Sequence, residues 1–327
     1  MKKKNNNKLK IILIIVVLLL TTGCTKTLTN DKKEAVKNEK TQQTLTENIL
    51  CQPTDKYSIK AYEENGIKLE KLPKCENFKI TSGKYEGLWT SFLIKPLSFI
   101  LLKIGELLGI TGKYAISIIL VSLVIRLLAY PVTKKTAMQS ELIKKAQPEL
   151  NRLQKKYQGK DDQESMIKQN QEMLMIYKKY NINPMSGCLF SMLQLPLFIA
   201  FFEAVQRTPA LFEDKFIGLQ LGTTPMAGFS TATFYSYIAL MLVIALTTFF
   251  SFKMNATANM QDQSMKMMPI MMSGMIIITA LFMPSGLGIY WATSNLFTIV
   301  QNILVKRSKE ANGKTQVSRE NKRRSNK

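Results

Sequence analysis

Histidine is missing from all 327 residues. Its absence removes histidine-ligated metal sites, histidine general bases and Ser/His/Asp triads, and no catalytic group or cofactor site suggests itself. Acids are scarce, 23 Asp+Glu against 45 Lys+Arg. In the five long apolar stretches after residue 111 the sole acid is Glu203, with neither an aspartate pair nor an HExxH run, so nothing there suits intramembrane proteolysis. No glycine-rich phosphate loop and no internal repeat is visible. These absences argue against an enzyme.

What the chain has instead is apolar blocks separated by lysine-rich connectors, with 46% hydrophobic residues in all. This predicts an all-α polytopic membrane protein. A net charge of +22 would suggest nucleic acid in a soluble protein. Here the excess sits between and after the apolar blocks, where positive loops stay cytoplasmic, so it encodes orientation.

Residues 1–23 read as a signal peptide, lysines followed by the short apolar run Ile11 to Leu20. The run ends in LTTGC, similar to a bacterial lipoprotein cleavage site with Cys24 as the lipidated residue, although Thr21 stands where an aliphatic residue is usual. Residues 24–87 are polar with little hydrophobic periodicity, a tether or a very small extracytoplasmic element. Cys51 and Cys75 lie there, and two readings stand: a disulfide, or two free thiols in a loose segment. Residues 88–111 are expected to form an amphipathic helix in the interface plane. Lys95, Lys103 and Glu106 share one face, pointed at headgroups.

Spans are expected at 112–131, 185–205, 232–252, 267–283 and 284–305, each near the ~20 helical residues that cross a ~30 Å hydrocarbon core. Between the first two, residues 132–184 predict a lysine-rich helical hairpin around the turn QGKDD, with apolar seams at Met138, Leu142, Leu150, Leu153 and Tyr157 and at Met166, Met173, Ile176 and Tyr180. Pro131 closes the first span and Pro148 kinks or restarts the hairpin helix. An external loop at 206–231, a cytoplasmic loop at 253–266 and a basic cytoplasmic tail at 306–327 complete the chain. Five spans place the mature N-terminus outside.

Arg126 is the odd residue in the first span. A central arginine costs roughly 3 kcal/mol on insertion scales and usually faces protein or a watery cavity. It either snorkels to the nearby interface or faces a polar interior. Ser122 lies one turn away on its face. In the fifth span Trp291, Ser294, Asn295, Thr298 and Asn302 make a second polar stripe, and the second span carries Gln194. Gln194 and Asn295 could equally serve ordinary interhelical hydrogen bonds.

The strings RLLAYPVTKK, QPELNRLQKKYQGK, MIYKKYNINPMSGCLFSMLQLPLFIAFF and GIYWATSNLFTIVQ, in this order, resemble the YidC family of membrane protein insertases in its shorter Gram-positive, lipoprotein-type form. The resemblance covers roughly residues 88–306. It implies a five-transmembrane-helix insertase core with an interfacial amphipathic helix, a cytoplasmic helical hairpin that receives substrates, and a hydrophilic groove. The groove residues would be Arg126, Gln194 and Trp291, with Ser122, Asn295 and Thr298 beside them. It further implies a multi-pass protein of the bacterial plasma membrane that inserts and folds nascent membrane proteins as a chaperone, without nucleotide, metal or cofactor. The ribosome and the Sec translocon are candidate partners, membrane lipids surround it, and no small-molecule substrate is expected. The rival reading is a small-solute or ion transporter with Arg126 as its anion site; the absence of inverted repeats argues against it.

Overall fold

A computed structural model describes residues 25–160, 162–183, 185–254 and 263–325. The protein is mostly helical. Its main helices are α1 (Lys56–Glu64), α2 (Lys95–Leu108), α3 (Lys113–Tyr157), α4 (Gln163–Lys179), α5 (Met185–Arg207), α6 (Phe234–Met254), α7 (Gln263–Leu281) and α8 (Ser285–Ser325). Among the described residues, α3 and α6 are long and apolar enough to cross a membrane, and Ile270–Leu281 is a shorter apolar stretch. Cys24 and the signal-peptide region lie outside the described residues.

The chain divides into two compact units, and α3, α6 and α8 each contribute to both. The first comprises the chain up to Val124 with Leu193–Ile244 and Ile277–Thr293. In it the polar N-terminal segment is folded, contrary to a tether. Short extended pieces meet at Thr27↔Thr46, Thr29↔Ala35 and Lys37↔Thr44, and α1 begins at Asp55, whose side chain accepts from the Ser58 amide. Leu28, Leu45, Ile49 and Tyr62 form a small core closed by Phe212, from the single-turn helix Pro209–Phe212 beyond α5. That explains the missing periodicity. Each short piece donates one apolar residue, and the last comes from far along the chain, so no local window shows a pattern. A disulfide joins Cys51 to Cys75, with Cα atoms 5.0 Å apart. We call this folded segment the cap.

α2 is entered through a helical turn, Gly87–Trp89, and a π turn, Thr90–Ile94. It stops at Gly109, whose φ of 61° suits glycine. The helix is amphipathic, and the lysines of its charged face bond to backbone carbonyls of the cap. Lys95 is 4% exposed, its Nζ donating to the carbonyls of Ser82 (2.6 Å) and Lys84 (3.1 Å), and Lys103 donates to the Glu76 carbonyl and pairs with Glu106. The cap supplies the carbonyls, so protein replaces the aqueous partner. Leu97, Leu101 and Leu102 are buried, whereas Leu88, Phe92, Ile100 and Leu107 are exposed.

The second unit comprises Ile125–Met192, Ala245–Ile276 and the chain from Ser294 onward. Here α3 runs unbroken through Pro131 and Pro148, so Pro131 does not close a helix. A proline deletes one backbone hydrogen bond and crowds the preceding turn without ending a helix otherwise held in place. The Thr133 hydroxyl bonds back to the Tyr130 carbonyl at 3.1 Å. At 1.5 Å per residue α3 is ~68 Å long, more than twice the hydrocarbon thickness. After the turn, Asp162 caps α4 by accepting from the Ser165 amide. α4 packs antiparallel on the end of α3: Lys156 pairs with Glu172 and Lys179 with Glu149, over Ala146, Leu150 and Ile182 with Leu142, Met173, Ile176 and Tyr180 beside them. Met138 and Met166, expected in this seam, are exposed.

Candidate functional site

The predicted residues fall in both units. In the first, Ser122 on α3 is buried and donates to the Ile118 carbonyl, so its hydroxyl is used within its own helix. Gln194 on α5 donates through Nε2 to the Tyr290 hydroxyl at 2.9 Å. Phe198, one turn further along α5, meets the edge of Trp291 at a centroid distance of 5.2 Å, and Phe201 stacks on Tyr290 at 4.2 Å. Gln194 and Trp291 therefore belong to one aromatic seam between α5 and the start of α8.

Next to this seam α5 ends in a buried ion cluster. Arg207 is 0% exposed. Its Nε donates to the Asn48 carbonyl (2.9 Å), one terminal nitrogen donates to the Thr90 hydroxyl (3.0 Å), and the other pairs with Glu86. Glu203 lies 3.7 Å from Arg207 and accepts from the Trp89 indole at 3.0 Å. The one acid of the apolar stretches is thus spent on a local cation. The cap docks on the same spot, since the Leu50 amide donates to the Arg207 carbonyl at 2.7 Å. Beyond it the Glu213 carboxylate accepts from the Thr54 amide (2.9 Å) and hydroxyl (2.6 Å), while burial pushes its pKa upward. Burial also raises Asp214, and it lowers Lys95 despite the nearby Glu86.

The second unit holds the arginine. Arg126 is 7% exposed. Asn295 donates to the Thr248 hydroxyl at 2.9 Å, Thr298 donates to the Ser294 carbonyl at 2.9 Å, and Thr133 donates to Gln301 at 2.8 Å. Thr133, Thr247, Thr248, Ser251 and Gln301 are buried along with Arg126, while Leu127, Leu128, Leu246, Phe250, Val300 and Leu304 are exposed. Around Arg126, where α3, α6 and α8 contribute these residues, the buried side chains are largely polar and the exposed ones apolar, the reverse of a water-soluble bundle and of the hairpin in the same unit. Sequence reasoning missed the α6 contribution. Thr247, Thr248 and Ser251 share a helical face, but hydroxyls are common in apolar helices and gave no reason to be singled out. Thr133 and Gln301 carried no local signal at all.

The chemistry this part of the second unit offers is hydrogen bonding and the buried positive charge of Arg126. Among the described residues no three His, Cys, Asp or Glu side chains could together hold a metal ion.

A family profile described as "60Kd inner membrane protein" matches residues 106–312. The chain is 34% identical over 241 residues to "Membrane protein insertase YidC 2" of Listeria innocua, spanning 72% of this chain and 79% of that one. It is also 34% identical over 219 residues to "Membrane protein insertase MisCA" of Bacillus subtilis, spanning 67% and 79%. The chain belongs to the YidC family.

A solved YidC structure, an active insertase with its first transmembrane domain resolved, matches at a TM-score of 0.42 and 19% identity, over 75% of this chain and 52% of that one. The match to the family profile begins at residue 106, so the cap and most of α2 precede it. Arg126, Gln194, Trp291, Asn295 and Thr298 all fall inside it. Membership makes this a membrane protein that is not an enzyme in the catalytic sense.

Proposed function

We propose that this chain is a membrane protein insertase that draws the polar flank of a nascent membrane protein into a hydrated interior and releases its apolar segment to lipid, without nucleotide. The observation that carries the reading is the second unit: Arg126 buried with the hydroxyls and amides of Thr133, Thr247, Thr248, Ser251 and Gln301, inside an apolar sheath. A buried cation in such a place demands polar surroundings or water.

Five spans, at the positions expected from sequence, would put the cap outside and the lysine-rich α3–α4 hairpin and the tail inside, with Cys24 as a lipid anchor. The hairpin would receive the substrate. Arg126 then acts as a lure. At ~4 Å and an effective dielectric of about 20, one carboxylate gains about 4 kcal/mol before desolvation, enough to hold it briefly and too little to trap it. The substrate's apolar helix meanwhile partitions along the exposed leucines and phenylalanines. Gln194 and Trp291 are proposed as further substrate contacts in the first unit. The ribosome and the Sec translocon remain proposed partners through the basic tail and hairpin.

The test is insertion of a single-span reporter with an acidic N-terminal tail into liposomes containing the purified protein. Arg126→Ala should lower insertion roughly tenfold, the change that about 1.4 kcal/mol of lost attraction produces. Arg126→Lys should retain most of it. Equal insertion by all three proteins would remove Arg126 from the mechanism, and no insertion even by the intact protein would restore the anion-transporter reading.

A further inference from the structure

The external loop of the first unit contains a two-stranded hairpin, β1 (Lys215–Phe216) and β2 (Leu219–Gln220), paired antiparallel. Its two central residues, Ile217 (φ 50°) and Gly218 (φ 80°), are both left-handed. Asn or Asp followed by Gly is the usual choice for such a turn. A β-branched residue in this conformation is an outlier, because its branched Cβ crowds the backbone. Ile217 is also 76% exposed. The chain therefore holds an apolar side chain in a strained conformation where it gains nothing from its own protein.

The hairpin is clamped. A Cβ on Gly218 would lie 2.6 Å from the Ser236 hydroxyl, and one on Gly112 would lie 2.7 Å from the Phe216 ring. The Gln220 amide donates to the Tyr237 hydroxyl at 3.2 Å, and Asp214 accepts from the Tyr114 amide at 2.9 Å. These contacts fix the tip against the first turns of α3 and α6. Presentation of Ile217 is thus a property of the fold.

The surface beside the tip says what covers it. Leu107 (86% exposed) and Ile110 precede α3, and Tyr235 and Ile238 begin α6, all exposed. The same apolar surface continues down both helices through Leu120, Val124 and Leu242. Lys113 and Lys215 flank the tip, with Asp214 between them held by backbone amides. Apolar side chains backed by lysines at the end of bilayer-length helices match the boundary between acyl chains and phosphate headgroups.

We propose that the 215–220 hairpin is a lipid-inserting tip, with Ile217 seated in the upper acyl region of the leaflet on the cap side and Lys113 and Lys215 at phosphates. This rests on the reading that α3 and α6 span the bilayer. The lipid contact holds the first unit at a set depth, and it accounts for retaining isoleucine where Asn or Gly would be unstrained.

The full chain carrying Ile217→Trp, with parent and Leu242→Trp proteins alongside, is reconstituted into phosphatidylcholine vesicles. The added fluorescence is read as the difference from the parent, which contains Trp89 and Trp291. Lipids brominated at carbons 6 and 7 should quench the residue-217 signal at least twofold more than acrylamide does. Preferential quenching by acrylamide would place the tip in water and overturn the proposal. So would protection from both quenchers, which would mean a protein partner, a second copy included. A Leu242→Trp signal untouched by any brominated lipid would instead sink the spanning reading. If tryptophan disturbs the turn, a nitroxide on Ile217→Cys, in a Cys24→Ser/Cys188→Ser background, gives the same decision. Greater collision with oxygen than with a water-soluble nickel complex supports lipid, and the reverse overturns it.

Discussion

At the scale of single residues, two arginines are buried in apolar helices, Arg126 in α3 and Arg207 in α5. Arg207 uses all three guanidinium nitrogens locally: one on the Asn48 carbonyl, one on Thr90, one on Glu86, with Glu203 close by. Three partners in three directions require the planar fork of guanidinium, which an ammonium cannot reproduce. Arg207→Ala should therefore destabilise the protein by about 3–5 kcal/mol, since the buried Glu203 would be left without its cation and the half-buried Glu86 without its partner. Arg207→Lys should recover less than half of that. Thermal unfolding of detergent-solubilised protein checks both, and an Arg207→Ala midpoint equal to the parent's would show that the cluster holds nothing together. Arg126 was legible in the sequence because a charge in an apolar run is conspicuous. Arg207 was not, because it sits where the apolar run ends and a cation needs no explanation.

At the scale of elements, the cap and the segment that follows α5 stand or fall together. The Glu213 carboxylate bridges them through Thr54, and Phe212 completes the cap core. Burial raises the pKa of Glu213 above its ordinary value of 4.5. The folded cap thus keeps its proton at pH values where the unfolded chain has lost it. Unfolding then releases protons, and stability falls as pH rises from the ordinary value through the raised one. The contribution is fully present below pH 4.5 and gone above the folded-state value. Limited proteolysis of the cap over this range should show resistance declining as pH rises, with Glu213→Gln flattening the profile while keeping an acceptor for Thr54. A profile unchanged by that substitution would assign the pH dependence elsewhere. The amphipathic character of α2 could be read from residue spacing. The partner of its charged face could not, since carbonyls of Ser82, Lys84 and Glu76 solvate lysines as water would, and spacing does not distinguish the two.

At the scale of the whole molecule, the proposed orientation rests on charge. The lysine-rich α3–α4 hairpin and the cap should lie on opposite sides of the membrane. With Cys24 and Cys188 replaced by serine, a thiol introduced as Lys160→Cys should react with a membrane-impermeant maleimide only after the cells are opened, whereas one introduced as Lys33→Cys should react on intact cells. Reaction of both on intact cells would refute the crossing of the membrane by α3.

The amino-acid sequence by itself determined that this is a helical membrane protein of the YidC family, and it marked Arg126, Gln194, Trp291 and Asn295. Those are properties of single helices: apolar runs of membrane length, and polar residues conspicuous against them. Tertiary structure alone decided that the N-terminal segment is a folded cap, that α3 continues through two prolines, and that Thr248 and Gln301 meet Asn295 and Thr133. The reason is range. A cap core closed by Phe212, a lysine solvated by carbonyls and a hydroxyl paired across helices all depend on groups brought together from distant parts of the chain, and no periodicity within one segment encodes them.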